Sequence, residues 1–169
     1  MGNLFCANEV IEMGIQIKKN GKSFYSNVAK STKAKRVKNI FQWLALEQDR
    51  HIKVFDDMLV HIDKCARFEQ YPGEYSSYIE ALISDYALGP KVKGRVMPRK
   101  VKDNAQAIDL AIDFEKDSIL FYDAMQPLVR AKERKAIGKL IEQEHEHIRR
   151  LSQLKKCLTR SDLKACLIR

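Results

Sequence analysis

The chain has 169 residues, of which 45% are hydrophobic and 31% are charged, and its formal net charge is +9. This length and mixture are typical of one soluble globular domain with a single hydrophobic core. The apolar runs are far shorter than the about 20 residues needed to cross a bilayer, and residues 1–10 lack a signal-peptide pattern, so we expect a cytoplasmic protein with no membrane partner.

Four long helices are predicted, because apolar residues recur at alternating gaps of three and four. The first two cover about 8–31 and 33–67, and a short helix at about 73–86 and a basic loop at 91–102 follow. Asp103 is expected to cap a third helix at about 104–128, and the fourth, at about 131–159, has an apolar stripe from Ile137 to Leu158. The predicted fold is all-α, an up-down four-helix bundle in residues 1–159 with a polar tail at 160–169.

The two predicted helical hairpins are similar in sequence. "IKKNGKSFY" (17–25) aligns with "FEKDSILFY" (114–122) at a shift of 97, and "LALEQDRHI" (44–52) aligns with "LIEQEHEHI" (140–148) at a shift of 96. We interpret this as an internal repeat. It pairs Lys18 with Glu115, Gln48 with Glu144 and His51 with His147.

Six polar residues occupy the middle of the four apolar stripes: Lys18, Gln48, His51, Glu115, Glu144 and His147. Buried polar groups are costly unless they are paired or bind a metal, so we expect these six to meet. Carboxylate and imidazole ligands suit iron or manganese, and bundle cores commonly build such sites from Glu and Glu-x-x-His. Tyr25 and Tyr122 lie one or two turns away; each is either a relay for electrons or protons or a buried tyrosine with a satisfied hydroxyl.

Several motifs together resemble the rubrerythrin-like branch of the ferritin-like superfamily, up to about Leu158. They are Phe-Tyr in the first helix, "RHIKVF", "YPGEYSSYIEAL", "EKDSILFY" and "EQEHEHIRRL". The resemblance implies an up-down four-helix fold and, in intact members, a pair of irons that react with oxygen or peroxide. By position it implies the metal ligands Glu115, Glu144, His147 and His51, and it leaves Lys18 and Gln48 where two further glutamates would be.

Lys18 and Gln48 change the charge of the predicted site. Two carboxylates and one ammonium leave about one net negative charge, against four positive charges on two divalent ions. We therefore expect no tightly bound metal, with Lys18 paired to Glu115 or Glu144 and Gln48 donating to the other carboxylate.

Two alternative predictions for this site include a bound metal. If Lys18 reaches solvent, a single Fe or Mn ion could be held by Glu115, Glu144 and His147, with or without His51. A metal pair would need another carboxylate such as Glu47, which we interpret instead as a flank or surface residue, because its repeat counterpart is Gln143.

Two functions remain open, and no catalytic residue is assigned. The first is a rubrerythrin-like protein with a degenerate dinuclear site, acting as a metal-poor binding or scaffold module. The alternative is a non-haem iron oxidoreductase of the peroxidase or oxidase type. It would need a separate electron donor, because the four cysteines include no C-x-x-C for a rubredoxin-type iron centre and are expected to be free thiols.

The remaining features concern partners. Loop 91–102 carries six positive charges and no negative ones, which suits an anionic partner, yet it lacks the regularly placed aromatics that stack bases, so nucleic acid is not expected. Apolar residues outside the stripes, Ile17, Phe24 and Trp43, leave room for a homodimer face.

Overall fold

A computed structural model of the chain describes residues 7–61, 103–129 and 131–159. The described residues form four α-helices and no strand: α1 (Ala7–Ser31), α2 (Lys35–Val60), α3 (Asn104–Met125) and α4 (Ala131–Thr159). The predicted four-helix, all-α fold is confirmed. The expected short helix at 73–86, loop 91–102, residues 62–67 of the second helix and the tail at 160–169 lie outside the described residues.

The helices form two hairpins that pack on each other. Helix α1 lies along α2 and α3 lies along α4, while α2–α4 and α1–α3 contacts join the hairpins. At one end, Thr32 links the hairpins, since its hydroxyl donates to Oδ1 of Asn104 at 2.8 Å.

Local chemistry sets the ends of α3. Asp103 caps its start as predicted, because Oδ1 accepts a hydrogen bond from the Gln106 backbone N–H at 2.8 Å. The α-helix ends at Met125 rather than Leu128, and Gln126–Leu128 form a 3₁₀ turn that contains Pro127. Proline lacks the N–H that another α-helical turn would need.

The core consists of the predicted stripes and their flanks. Ile17 and Phe24 are buried within this chain, so the expectation that they belong to a dimer face is wrong, although Trp43 is half-buried. The buried stripe of α4 ends at Leu154, because Leu158 is 41% exposed. Cys157 is disulfide-bonded, which corrects the expectation of a free thiol at that position.

No helix among the described residues has an apolar stretch long enough to cross a bilayer.

Candidate metal centre

Five polar side chains meet at the centre of the bundle, and all four helices contribute. They are Lys18 from α1, His51 from α2, Glu115 from α3, and Glu144 and His147 from α4. Each is at most 1% exposed. The three-residue spacing of Glu144 and His147 puts both on the inner face of α4. The structure thus brings together five of the six polar side chains that the stripes aligned, and Gln48 is the exception.

Lys18 points into this centre and not toward solvent. Its Nζ donates to Oε1 of Glu144 at 2.6 Å and to Oγ of Ser118 at 3.0 Å, and it lies 3.8 Å from Oε2 of Glu115. The ammonium is also 5.3 Å from the centroid of the Tyr122 ring, within cation–π range. A buried ammonium therefore occupies the space between the two carboxylates.

The two tyrosines bind the same carboxylates. The Tyr25 hydroxyl donates to Oε1 of Glu115 at 2.6 Å, and the Tyr122 hydroxyl donates to Oε1 of Glu144 at 3.3 Å. Burial and the nearby negative charges raise the pKa of both phenols well above the usual value, so both stay protonated donors.

The two histidines turn Nδ1 toward the carboxylates. Nδ1 of His147 lies 2.8 Å from Oε2 of Glu144 and 3.3 Å from Oε1 of Glu115, and Nδ1 of His51 lies 3.2 Å from Oε1 of Glu144. These contacts are short, but they lack the angles of hydrogen bonds. The two rings are stacked almost in parallel, with centroids 5.6 Å apart and planes 11° apart.

These contacts move the pKa values of the central groups in different directions. Burial raises the pKa of Glu115, and the charge of Glu144 adds to the rise. Burial acts in the same direction on Glu144, but Lys18 and His147 outweigh it and lower that pKa well below its usual range. Burial alone would lower the pKa of His147, yet its contacts with the two carboxylates raise it to about 9. His147 is therefore a cation at neutral pH.

Gln48 does not play the predicted role. Its side chain is fully buried on the α2 stripe, but neither Oε1 nor Nε2 has a hydrogen-bond partner among the described residues, so it donates to neither Glu115 nor Glu144. A Cβ added at Gly21 of α1 would lie 2.9 Å from Oε1 of Gln48. The amide is thus packed against the backbone of α1, beside the network and not within it.

Glu47 is not a surface residue. It is 5% exposed, and its Oε1 accepts from Nη1 of Arg50, a side chain that is itself 70% exposed. Its repeat counterpart Gln143 is exposed, so the repeat was misleading at this position. The α2 helix buries two adjacent positions, 47 and 48, at its contact with the second hairpin.

Two groups of described residues have the composition and spacing of metal ligands. The first group is Glu115, Glu144 and His147, and the second group is Glu47, His51 and His147. In each group, one ligand atom per residue lies within 4.8 Å of the others. His147 belongs to both groups. The first is part of the site predicted from the stripes, whereas the second depends on the unexpected burial of Glu47.

Ser118 was not identified from the sequence as part of the site. It lies on the α3 stripe, is fully buried, accepts from Lys18 and donates to the Phe114 carbonyl at 3.0 Å. The available signal was a small hydroxyl residue on an otherwise apolar stripe, three residues after Glu115.

Solved structures with a similar fold include a Thermotoga maritima protein described as ferritin-like and diiron-carboxylate. It is 24% identical over 94% of this chain and 100% of that one, with a TM-score of 0.64. A hypothetical protein from Pyrococcus furiosus is 18% identical over 91% of this chain and 90% of that one, with a TM-score of 0.67. At these identities the similarity shows the fold alone.

The sequence itself matches a family model. No curated protein sequence matches the chain significantly. The family model described as Rubrerythrin matches residues 9–155, a range that includes the central polar residues of all four helices. The chain therefore belongs to the rubrerythrin family.

Proposed function

We propose that this protein is a rubrerythrin-family bundle with a degenerate dinuclear site, and that it acts as a metal-poor binding or scaffold module. In this proposal a network of ion pairs takes the volume that two metal ions would need. Its support comes from the residues at the centre of the bundle.

The observation that carries the proposal is the position of Lys18. Its ammonium is fully buried and lies 2.6 Å from one carboxylate and 3.8 Å from the other. Each distance is at or within the range of an ion pair, and the hydroxyl of Ser118 supplies a further acceptor. An ammonium in this position repels a second cation at the same place.

The charge of the centre also disfavours a metal pair. Glu115 and Glu144 supply two negative charges, and Lys18 together with protonated His147 supplies two positive ones. The sum is zero, and even after His147 loses a proton to become a ligand, only one net negative charge would face the four positive charges of two divalent ions. The residues present do not fit a dinuclear centre, and no step of a two-metal reaction is assigned to them.

Without the metals, the network can hold the two hairpins together. Lys18 of the first hairpin contacts Glu115 and Glu144 of the second, and Tyr25 of the first contacts Glu115. These contacts fix the relative position of the helices, which is what a bundle needs in order to present a constant outer surface to a partner. A binding or scaffold role requires that rigidity and requires no redox chemistry.

Metal content tests the proposal. Wild type and a Lys18→Glu, Gln48→Glu double variant are produced in medium rich in iron and manganese, and the metal per chain is measured by elemental analysis. We expect well below two metals per chain in wild type and an increase in the double variant. About two metals per chain in wild type would refute the proposal.

A second candidate is a one-metal non-haem oxidoreductase, with electrons supplied by a separate donor. The two buried groups of ligand residues favour it, since either could hold one ion. Bound metal near one equivalent, together with oxidant-dependent turnover that disappears in a chelator, would support this candidate over the scaffold role.

A further inference from the structure

Helix α2 buries a carboxylate that the dinuclear pattern does not use. Glu47 faces the second hairpin, and one of its oxygens lies within 4.8 Å of a ring nitrogen on each of His51 and His147. Two imidazoles and one carboxylate are a ligand set that suits zinc or ferrous iron and leaves coordination positions open.

His51 is a buried imidazole with one unpartnered ring nitrogen. The residue is fully buried, and its Nδ1 lies 3.2 Å from Oε1 of Glu144, whereas its Nε2 makes no hydrogen bond to any described residue. Burying an unsatisfied polar atom costs free energy, so an unpartnered imidazole nitrogen next to another imidazole and a carboxylate indicates a ligand position.

The carboxylate of Glu144 faces both imidazole rings, and that of Glu115 faces the ring of His147. Nδ1 of both His51 and His147 faces Oε atoms of Glu144, at 3.2 and 2.8 Å, and the two rings are nearly parallel. Because Nδ1 and Nε2 lie on opposite sides of an imidazole, this arrangement leaves both Nε2 atoms on the side away from Glu144. Metal-binding histidines commonly present their other ring N–H to a carboxylate in this way.

We propose that Glu47, His51 and His147 form a mononuclear site for a divalent transition metal ion, with Glu115 and Glu144 as positioning residues. The inference rests on the proposed loss of the dinuclear centre, because Lys18 must neutralise the carboxylates that would otherwise bind the ion. A histidine binds a metal through a neutral ring nitrogen, so His147 releases a ring proton when the ion binds. The ion competes with Arg50 for the carboxylate of Glu47, because Oε1 of Glu47 accepts from Nη1 of Arg50.

Cobalt(II) is the probe for this site, and its visible d–d absorption is the readout, with folding followed by circular dichroism. We expect one equivalent to bind wild type. Glu47→Gln weakens binding by at least about tenfold, while Glu142→Gln, which changes an exposed carboxylate on α4, leaves it unchanged. Every variant keeps the cysteines, so thiol binding contributes equally to all of them.

Two more variants separate a ligand role from a structural one. Arg50→Gln frees Glu47 and changes only an exposed side chain, so it should tighten cobalt binding by up to about fivefold, whereas Arg149→Gln should not. Glu115→Gln removes a contact of His147 but no proposed ligand, so it should weaken binding less than Glu47→Gln does, although it would abolish binding at the Glu115, Glu144 and His147 group.

The possible results are distinguishable. Equal binding by wild type and folded Glu47→Gln, loss of the absorption in Glu115→Gln alone, or no cobalt binding by wild type would each overturn this inference and leave the proposed function standing. Two equivalents bound by wild type and lost with Glu115→Gln would overturn the proposed function as well.

Discussion

Nζ of Lys18 lies 2.6 Å from Oε1 of Glu144, and both side chains are completely buried. Taking two charges out of water costs several kcal/mol for each ion, and their mutual attraction repays that cost only when the remaining polar atoms are satisfied. Lys18 has a second acceptor in Ser118, and Oε1 of Glu144 also accepts from Tyr122, whereas Oε2 of Glu144 makes no hydrogen bond to any described residue. The pair is therefore sensitive to the loss of either member.

Removing Lys18 should strongly destabilise the protein. Lys18→Met takes from buried Glu144 the ammonium at 2.6 Å and leaves it only its contacts with the two imidazoles and Tyr122, and the loss of one member of a buried ion pair typically costs about 3–5 kcal/mol in free energy of unfolding. The control is Lys22→Met on the same helix, which breaks the exposed Lys22–Asp49 bridge and should cost about 0–1 kcal/mol. Urea denaturation measures both, and equal effects would show that Lys18 contributes no more than a surface charge.

Gly21 should not tolerate a methyl group. A Cβ at this position would lie 2.7 Å from two ring atoms of Phe114 and 2.9 Å from Gln48, so Gly21→Ala overpacks the core and should cost about 1–3 kcal/mol. Gly138→Ala is a matched control on α4, because no atom in the described part of the chain lies within 4 Å of the added carbon. It should instead stabilise the protein by up to about 1 kcal/mol through helix propensity. Thermal melts of the two variants should shift in opposite directions.

The helices and the central stripe positions could be predicted from the sequence, because the spacing of apolar residues fixes which face of each helix is buried. Spacing does not fix the width of that face. Ile17 and Phe24 lie beside the stripe and are buried, and Glu47 is buried next to Gln48. A narrow apolar stripe is typical of coiled coils, whereas helices in a globular bundle bury a wider surface.

The partners of individual polar groups were only partly predictable. The proximity of Lys18 to a carboxylate could be predicted, because the two groups have opposite charges and lie at the same level along their apolar stripes. The choice of Glu144 over Glu115, and the lack of any partner for the Gln48 amide, depend on side-chain rotamers that the spacing of residues does not determine.

Replacing Gln48 by an apolar residue of similar size should be neutral or stabilising. The amide is buried with both polar atoms unpartnered, which carries a desolvation cost of about 1–3 kcal/mol. Gln48→Met removes that cost and keeps a long, flexible side chain. An increase in the urea midpoint is expected, and a loss of stability above about 1 kcal/mol would mean that the amide has a partner in solution.

The two tyrosine hydroxyls should differ in their contributions. Tyr25 donates to Glu115 at 2.6 Å, whereas the bond from Tyr122 to Glu144 is 3.3 Å long and Glu144 has Lys18 as its main partner. Tyr25→Phe should therefore cost about 1.5–3 kcal/mol, as for a hydrogen bond to a charged group, and Tyr122→Phe should cost less. Comparison of the two unfolding curves tests the order, and a larger loss for Tyr122→Phe would contradict the observed geometry.

Metal removal should leave the fold of wild type intact. The central charges already cancel among Lys18, His147 and the two carboxylates, so a chelator takes away no ion on which the ion-pair network depends. The Lys18→Glu, Gln48→Glu variant differs, because four buried carboxylates then repel one another unless cations separate them. Circular dichroism melts with and without EDTA should coincide for wild type and separate for the variant, which should melt at a lower temperature in the chelator. Separation of the wild-type curves to the same extent would mean that a metal, and not Lys18, compensates the carboxylates in the native protein.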